Sequence, residues 1–184
     1  MDFSEAQQLF KFASRLLMYP SEEWRQELAT FVEMIESVQH RQIQDHLRQF
    51  IEWVTAQAEE ELLDHYVSTF DFGKKTNLYI TYIRHGETRD RGAELLALKQ
   101  LYARAGFAMT DKELPDYLPL MLEFASCGPE KEVKKMLKDY SAEIGVLREQ
   151  LVQVQSLYTL ILDAVMIAME EIGIERPVES GVVR

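Results

Sequence analysis

The sequence has one cysteine, Cys127. That excludes an internal disulfide and any thiolate metal cluster, and it suits a reducing compartment. Glycine and proline are sparse, eight and five in 184 residues, which disfavours a turn-rich β protein. Bases are outnumbered: 20 Lys and Arg face 31 Asp and Glu, a net charge of −11. A net anion repels phosphate backbones, so nucleic acid is excluded and a basic partner is favoured. No apolar run is long enough to span a bilayer; the longest, Leu157 to Met169, is broken by Asp163. The N-terminal MDFSEAQQ carries acids where an export signal carries bases. The expectation is a cytoplasmic protein without integral membrane association.

What the chain does have is helical periodicity. Hydrophobic residues make up 47% of it, ample for the core of a single domain. Ala6, Leu9, Phe10, Ala13, Leu16 and Leu17 share one helical face before Pro20. Ser21 is a good N-cap for a second helix carrying Trp24, Leu28, Phe31, Val32 and Ile35. A third runs through Ile43, Leu47, Phe50, Ile51 and Val54, and a fourth from about Glu59 to Phe70. Ser21 to Phe70 holds eleven acids against three bases, −8 of the total. A fifth helix over Arg91 to Ala105 closes at Gly106. Pro115 fits the first turn of a sixth, which Gly128 and Pro129 end. A short helix from Glu130 to Tyr140 leads into the longest pattern, Ile144, Leu147, Leu151, Val154, Tyr158, Ile161, Val165, Ala168, Ile172. Steps of three and four predict one unbroken central helix, with an intramolecular core face favoured over a coiled-coil dimer. The expectation is an all-α, single-domain bundle of about six or seven helices over residues 1–172, with 173–184 a flexible tail.

One stretch breaks the pattern. Asp71 to Gly92 has five bases against three acids in an acidic chain. Leu78 to Ile83 is β-branched and aromatic and is expected to be extended without joining a sheet. It runs into Arg84, His85, Gly86, Glu87 and Thr88, which resembles the phosphohistidine loop of the histidine phosphatases. That chemistry needs a second histidine downstream and a parallel sheet, yet His85 is the last histidine and no βαβ alternation follows. The phosphatase reading is rejected. Metal is also disfavoured: no carboxylate stands three residues before any of the four histidines, as a di-iron bundle would need. Arg84, Arg89 and Arg91 are expected to strap the connector to the acidic helices. His85 is expected to bond backbone at a turn.

A different resemblance covers the chain. Tyr66 to Asp71 (Tyr-Val-Ser-Thr-Phe-Asp), His85 to Gly92 (His-Gly-Glu-Thr-Arg-Asp-Arg-Gly) and Glu113 to Leu120 resemble the NarJ family. These are the assembly chaperones, or delta subunit, of respiratory nitrate reductase, within the wider TorD/DmsD-like group. Two positions depart from the wider pattern: Thr69 where Leu is common before the Phe, and Tyr117 where His is common after the Asp.

The resemblance implies an all-helical, non-catalytic chaperone with no cofactor of its own. It would bind the N-terminal segment of the apo catalytic (alpha) subunit while molybdenum bis-guanine-dinucleotide is inserted. It would delay membrane docking and be absent from the finished enzyme. Cofactor-biosynthesis proteins are implied as further partners. The motifs make Tyr66, Phe70, Pro115, Asp116 and Tyr117 the candidate peptide-binding residues. Plain core packing is the competing role for Tyr66 and Phe70, and for Asp116 it is capping a helix N-terminus. His85, Gly86, Glu87, Arg89, Asp90, Arg91 and Gly92 form the family motif without an assigned role. The alternative function is a generic acidic helical adaptor.

Overall fold

Helices begin where the sequence supplies a cap. In the computed structural model, which describes residues 1–73, 75–110 and 112–175, the Asp2 carboxylate accepts the Glu5 amide and the Glu5 carboxylate accepts the Asp2 amide. This capping box starts α1 (Phe3–Leu16). Ser21 accepts the Trp24 amide and starts α2 (Glu22–Gln26), as expected. There follow α3 (Leu28–Ser37), α4 (Arg41–Ala56), α5 (Glu59–Tyr66), a π-helical turn (Val67–Asp71), α6 (Ile80–His85) and α7 (Arg89–Arg104). The chain continues through α8 (Leu118–Cys127), α9 (Glu130–Asp139), α10 (Ser141–Gln153) and α11 (Thr159–Glu171). The described residues hold no β-strand. The fold is all-α, and the described residues form eleven α-helices, shorter than the six or seven expected.

The amphipathic stripes close on a single core. Helix α1 lies along α8 and α11, α4 lies along α11, and α10 packs on α11 and α6. Ile161, Leu162, Ala164, Val165 and Ala168 of α11 are wholly buried, so the apolar face is intramolecular. Ile174 is buried too; of the expected flexible tail, residues 176–184 lie outside the described residues.

Three sequence expectations are corrected. The unbroken central helix is two helices, α10 and α11. The Ser156 amide donates to Leu151 O at 3.0 Å and the Gln155 amide to Val152 O at 3.0 Å. With Gln155 at φ 56°, this is a Schellman ending. The same bonds end α7 at Gly106 and α11 at Gly173. There glycine announces the stop; at Gln155 nothing in the sequence does. The second correction is Pro115. It lies inside the turn that the Tyr117 amide closes on Leu114 O at 3.2 Å, and Pro119 occupies the first turn of α8. The third is Leu78 to Ile83. Only Tyr79 is extended: Leu78 O accepts the Leu118 amide, the Ile80 amide donates to Asp116 O, and Tyr79 pairs with Tyr117 in one antiparallel bridge. Ile80 onward is helix, because the Asp116 carboxylate accepts the Thr81 amide at 3.2 Å and so satisfies an orphan donor of the first turn.

Candidate functional site

The π-helical turn sets the site. It follows Tyr66 directly, and the Phe72 amide closes it on Val67 O at 3.1 Å. One extra residue per turn rotates Phe70 and Asp71 relative to α5, and such turns are frequent at functional sites. Thr76 Oγ1 donates to Thr69 O beneath it. Gly73 permits that closure, since a Cβ there would collide with both atoms.

Tyr66, Phe70 and Tyr117 converge on one cavity of about 200 Å³. Tyr19, Asp71, Leu78, Tyr79 and Glu113 complete its described lining. The rings are fixed. The Tyr66 hydroxyl donates to Leu17 O at 3.0 Å. The Tyr79 hydroxyl donates to Glu113 Oε1 at 2.8 Å. Tyr79 and Tyr117 lie 5.5 Å apart, tilted. Burial first, then the neighbouring Tyr117 phenol for Tyr66 and the Glu113 carboxylate for Tyr79, push both phenols far above the ordinary tyrosine range. Tyr66 and Phe70 also belong to the core, each 4% exposed. Phe70 stands 4.8 Å from the Tyr158 ring.

Asp116 and Pro115 sit behind this cavity rather than in its described lining. Asp116 is fully buried. Its Oδ2 accepts Thr81 Oγ1 at 2.6 Å and Arg91 Nη2 at 3.1 Å. It therefore caps α6, not its own helix. The Pro115 carbonyl accepts the Tyr102 hydroxyl at 2.8 Å.

The His85 to Gly92 motif splits by role. Gly86, at φ 59°, ends α6. Arg91 ties Thr81 and Asp116 together and lies over the Tyr79 and Tyr82 rings. His85 Nε2 is 3.0 Å from Glu94 Oε1. Its partner is a side chain, in place of the expected backbone group. Glu87, Arg89, Asp90 and Gly92 are exposed at the start of α7. Arg84 bonds Glu143 at 2.7 Å, Glu94 at 2.8 Å and Asp139 O at 2.9 Å. Burial alone would raise the Glu94 carboxyl; His85 and Arg84 instead hold it below the ordinary range. The strap expected from the sequence is real for Arg84 and Arg91, but its acids are Glu94, Glu143 and Asp116. None lies in the acid-rich segment, and Arg89 makes no ion pair among the described residues.

Sequence reasoning missed Tyr19, Asp71, Tyr79 and Glu113 as cavity wall. Asp71 and Glu113 stood inside the quoted motifs, yet nothing marked them as facing the same space. Among the described residues, no three His, Cys, Asp or Glu side chains are grouped to hold a metal ion. No helix is long and apolar enough to cross a membrane.

Comparison with known proteins now decides the lineage. Residues 20–159 match the family described as nitrate reductase delta subunit. The chain belongs to the nitrate reductase delta subunit family. One relative is the nitrate reductase molybdenum cofactor assembly chaperone NarJ of Bacillus subtilis, 43% identical over 182 residues, 99% of each chain. NarJ of Escherichia coli K12 is 32% identical over 152 residues, 82% of this chain and 64% of that one. A redox enzyme maturation protein of Archaeoglobus fulgidus shares the fold, with a TM-score of 0.63 at 22% identity over 92% of this chain and 95% of that one. In this delta-subunit chain the two departures from the wider pattern have structural meanings. Tyr117 places a phenol in the cavity wall where an imidazole is common. Thr69 buries its side chain within the π turn itself.

Proposed function

We propose that this protein is a dedicated assembly chaperone of nitrate reductase. It binds the N-terminal segment of the apo alpha subunit and holds that subunit while molybdenum bis-guanine-dinucleotide is inserted. It delays membrane docking and leaves before the enzyme is complete. It works in the cytoplasm and carries out no catalysis itself. The relatives' names supply the nitrate reductase client and the molybdenum cofactor. The observation that carries the docking site is the convergence of Tyr66 and Phe70 from one motif and Tyr117 from another on one cavity with two carboxylates.

The surroundings suit a basic segment with apolar anchors. Tyr19, Phe72 and Leu114 are exposed at 48%, 80% and 41%. Each lines the cavity or neighbours in sequence a residue that does. Apolar contact there would supply affinity, while the acid-rich helices aid encounter and orientation. A histidine phosphatase is not supported: its sheet is missing from the described residues, and His85 sits against Glu94 at a helix end. The adaptor alternative explains neither the family membership nor the motif convergence.

Calorimetric titration with a synthetic peptide of the alpha-subunit N-terminus, against a charge-matched scramble, tests this reading. Saturable binding of the native order alone is expected. Equal affinity for the scramble would overturn it. Co-purification from cells making the reductase subunits should recover apo alpha subunit.

A further inference from the structure

The geometry points to a cage for one long cationic side chain, arginine or lysine, of the client peptide, formed by the tyrosine rings and the Asp71 and Glu113 carboxylates. This rests on the docking reading above and adds which residue type the cavity selects. Its described lining holds four tyrosines and two acids and no base. Elsewhere in the connector, charges that approach the interior are compensated: Arg91 meets Asp116, and Arg84 meets Glu94 and Glu143. Asp71 makes no ion pair among the described residues. Glu113 Oε1 takes the Tyr79 hydroxyl and, at 3.0 Å, the Leu114 amide. Neither donor carries charge, so among the described residues both carboxylates border this aromatic space without a cationic partner.

A guanidinium or ammonium group answers each feature. Its charge matches the carboxylates, and its alkyl stem and head rest against ring faces. The volume, about 200 Å³, suits one extended side chain and excludes a whole helix. The rings need no rearrangement to receive it. Tyr66 is already held on Leu17 O and Tyr79 on Glu113, and the Tyr117 ring packs against Tyr79. Such preorganisation leaves less order to be imposed on binding. The same wall repels phosphate, so an anionic nucleotide or pyranopterin group is excluded from this cavity. Arg91, over the Tyr79 ring at 5.8 Å, shows a guanidinium already resting against one of these tyrosines.

Two titrations test the cage. In the first, protein with 13C-labelled tyrosine is titrated with N-acetyl-arginine amide, N-acetyl-lysine amide and the neutral N-acetyl-citrulline amide. The cations should shift the Tyr66, Tyr79 and Tyr117 ring signals and citrulline should not. Asp71→Asn and Glu113→Gln should suppress the response with melting curves unchanged. Absent or equal responses to all three would overturn the cage. In the second, the alpha-subunit N-terminal peptide should lose about fivefold in affinity to each variant. An exposed acid outside the cavity, in Glu33→Gln, should matter far less. Peptide binding indifferent to both cavity variants would sink the cage and leave the docking reading standing. A peptide that fails on the wild type would sink the docking reading, and the amino-acid titration would still decide the cage.

Discussion

Phe70 shows why single residues here resist a division into core and site. Its ring packs 4.9 Å from Tyr66 and 4.8 Å from Tyr158, yet it also forms part of the cavity wall. Phe70→Ala removes most of a buried aromatic, so a stability loss of about 3 kcal/mol or more is expected in urea unfolding. A loss below about 1 kcal/mol would contradict the packing described. His65 is a second case. It stacks on Tyr158, meets the Trp53 ring at 5.0 Å and bonds Ser156 Oγ at 3.0 Å. Burial depresses its pKa below the ordinary 6.5. The unfolded chain therefore binds a proton at a pH where the native chain does not. Stability from this source is complete above the ordinary histidine value and is lost as pH falls through the folded one. Melting temperature should drop between about pH 7.5 and about pH 5.5, before the carboxylates titrate. His65→Gln should flatten that drop; an unchanged slope would show that other groups cause it.

At the scale of elements, the two irregular turns matter more than the helices they interrupt. The π turn places Phe70 and Asp71 at the cavity. The Schellman turn at Gln155 separates α10 from α11 and frees Ser156 to meet His65. Gln155 adopts a left-handed conformation that glycine adopts without a Cβ penalty. Gln155→Gly should therefore raise stability by up to about 1 kcal/mol. Gln155→Ala should bring no such gain. Equal effects of the two substitutions in thermal unfolding would show that the turn stores no conformational strain.

For the whole molecule, charge and shape are distributed separately. The acid-rich segment from Ser21 to Phe70 is mostly outward-facing. Of the carboxylates at the cavity, Asp71 directly follows it and Glu113 lies far beyond it, between α7 and α8. On the proposed docking reading, long-range attraction and local recognition come from different acids. Affinity for the alpha-subunit peptide should fall with added salt and then level off, because screening removes the first contribution and spares much of the buried contact. Calorimetry at low and high salt checks this. Complete loss of binding at high salt would mean that the surface only attracts basic chains.

Much of this was legible in the residues. Apolar residues at helical spacing determined the all-α class, because a helix with one greasy face must bury it. Local chemistry determined the caps at Asp2 and Ser21 and the stop at Gly106. The motif residues Tyr66, Phe70 and Tyr117 line the candidate cavity. The tertiary structure alone decided which of those residues face a common space. Asp116 withdrew into the interior because Thr81 and Arg91, 35 and 25 positions away in sequence, supply its bonds. Glu113 joined the wall because Tyr79, 34 positions away, reaches it. The break at Gln155 was hidden for the same reason. A left-handed residue without glycine is held by its surroundings, and spacing along the chain carries no record of them.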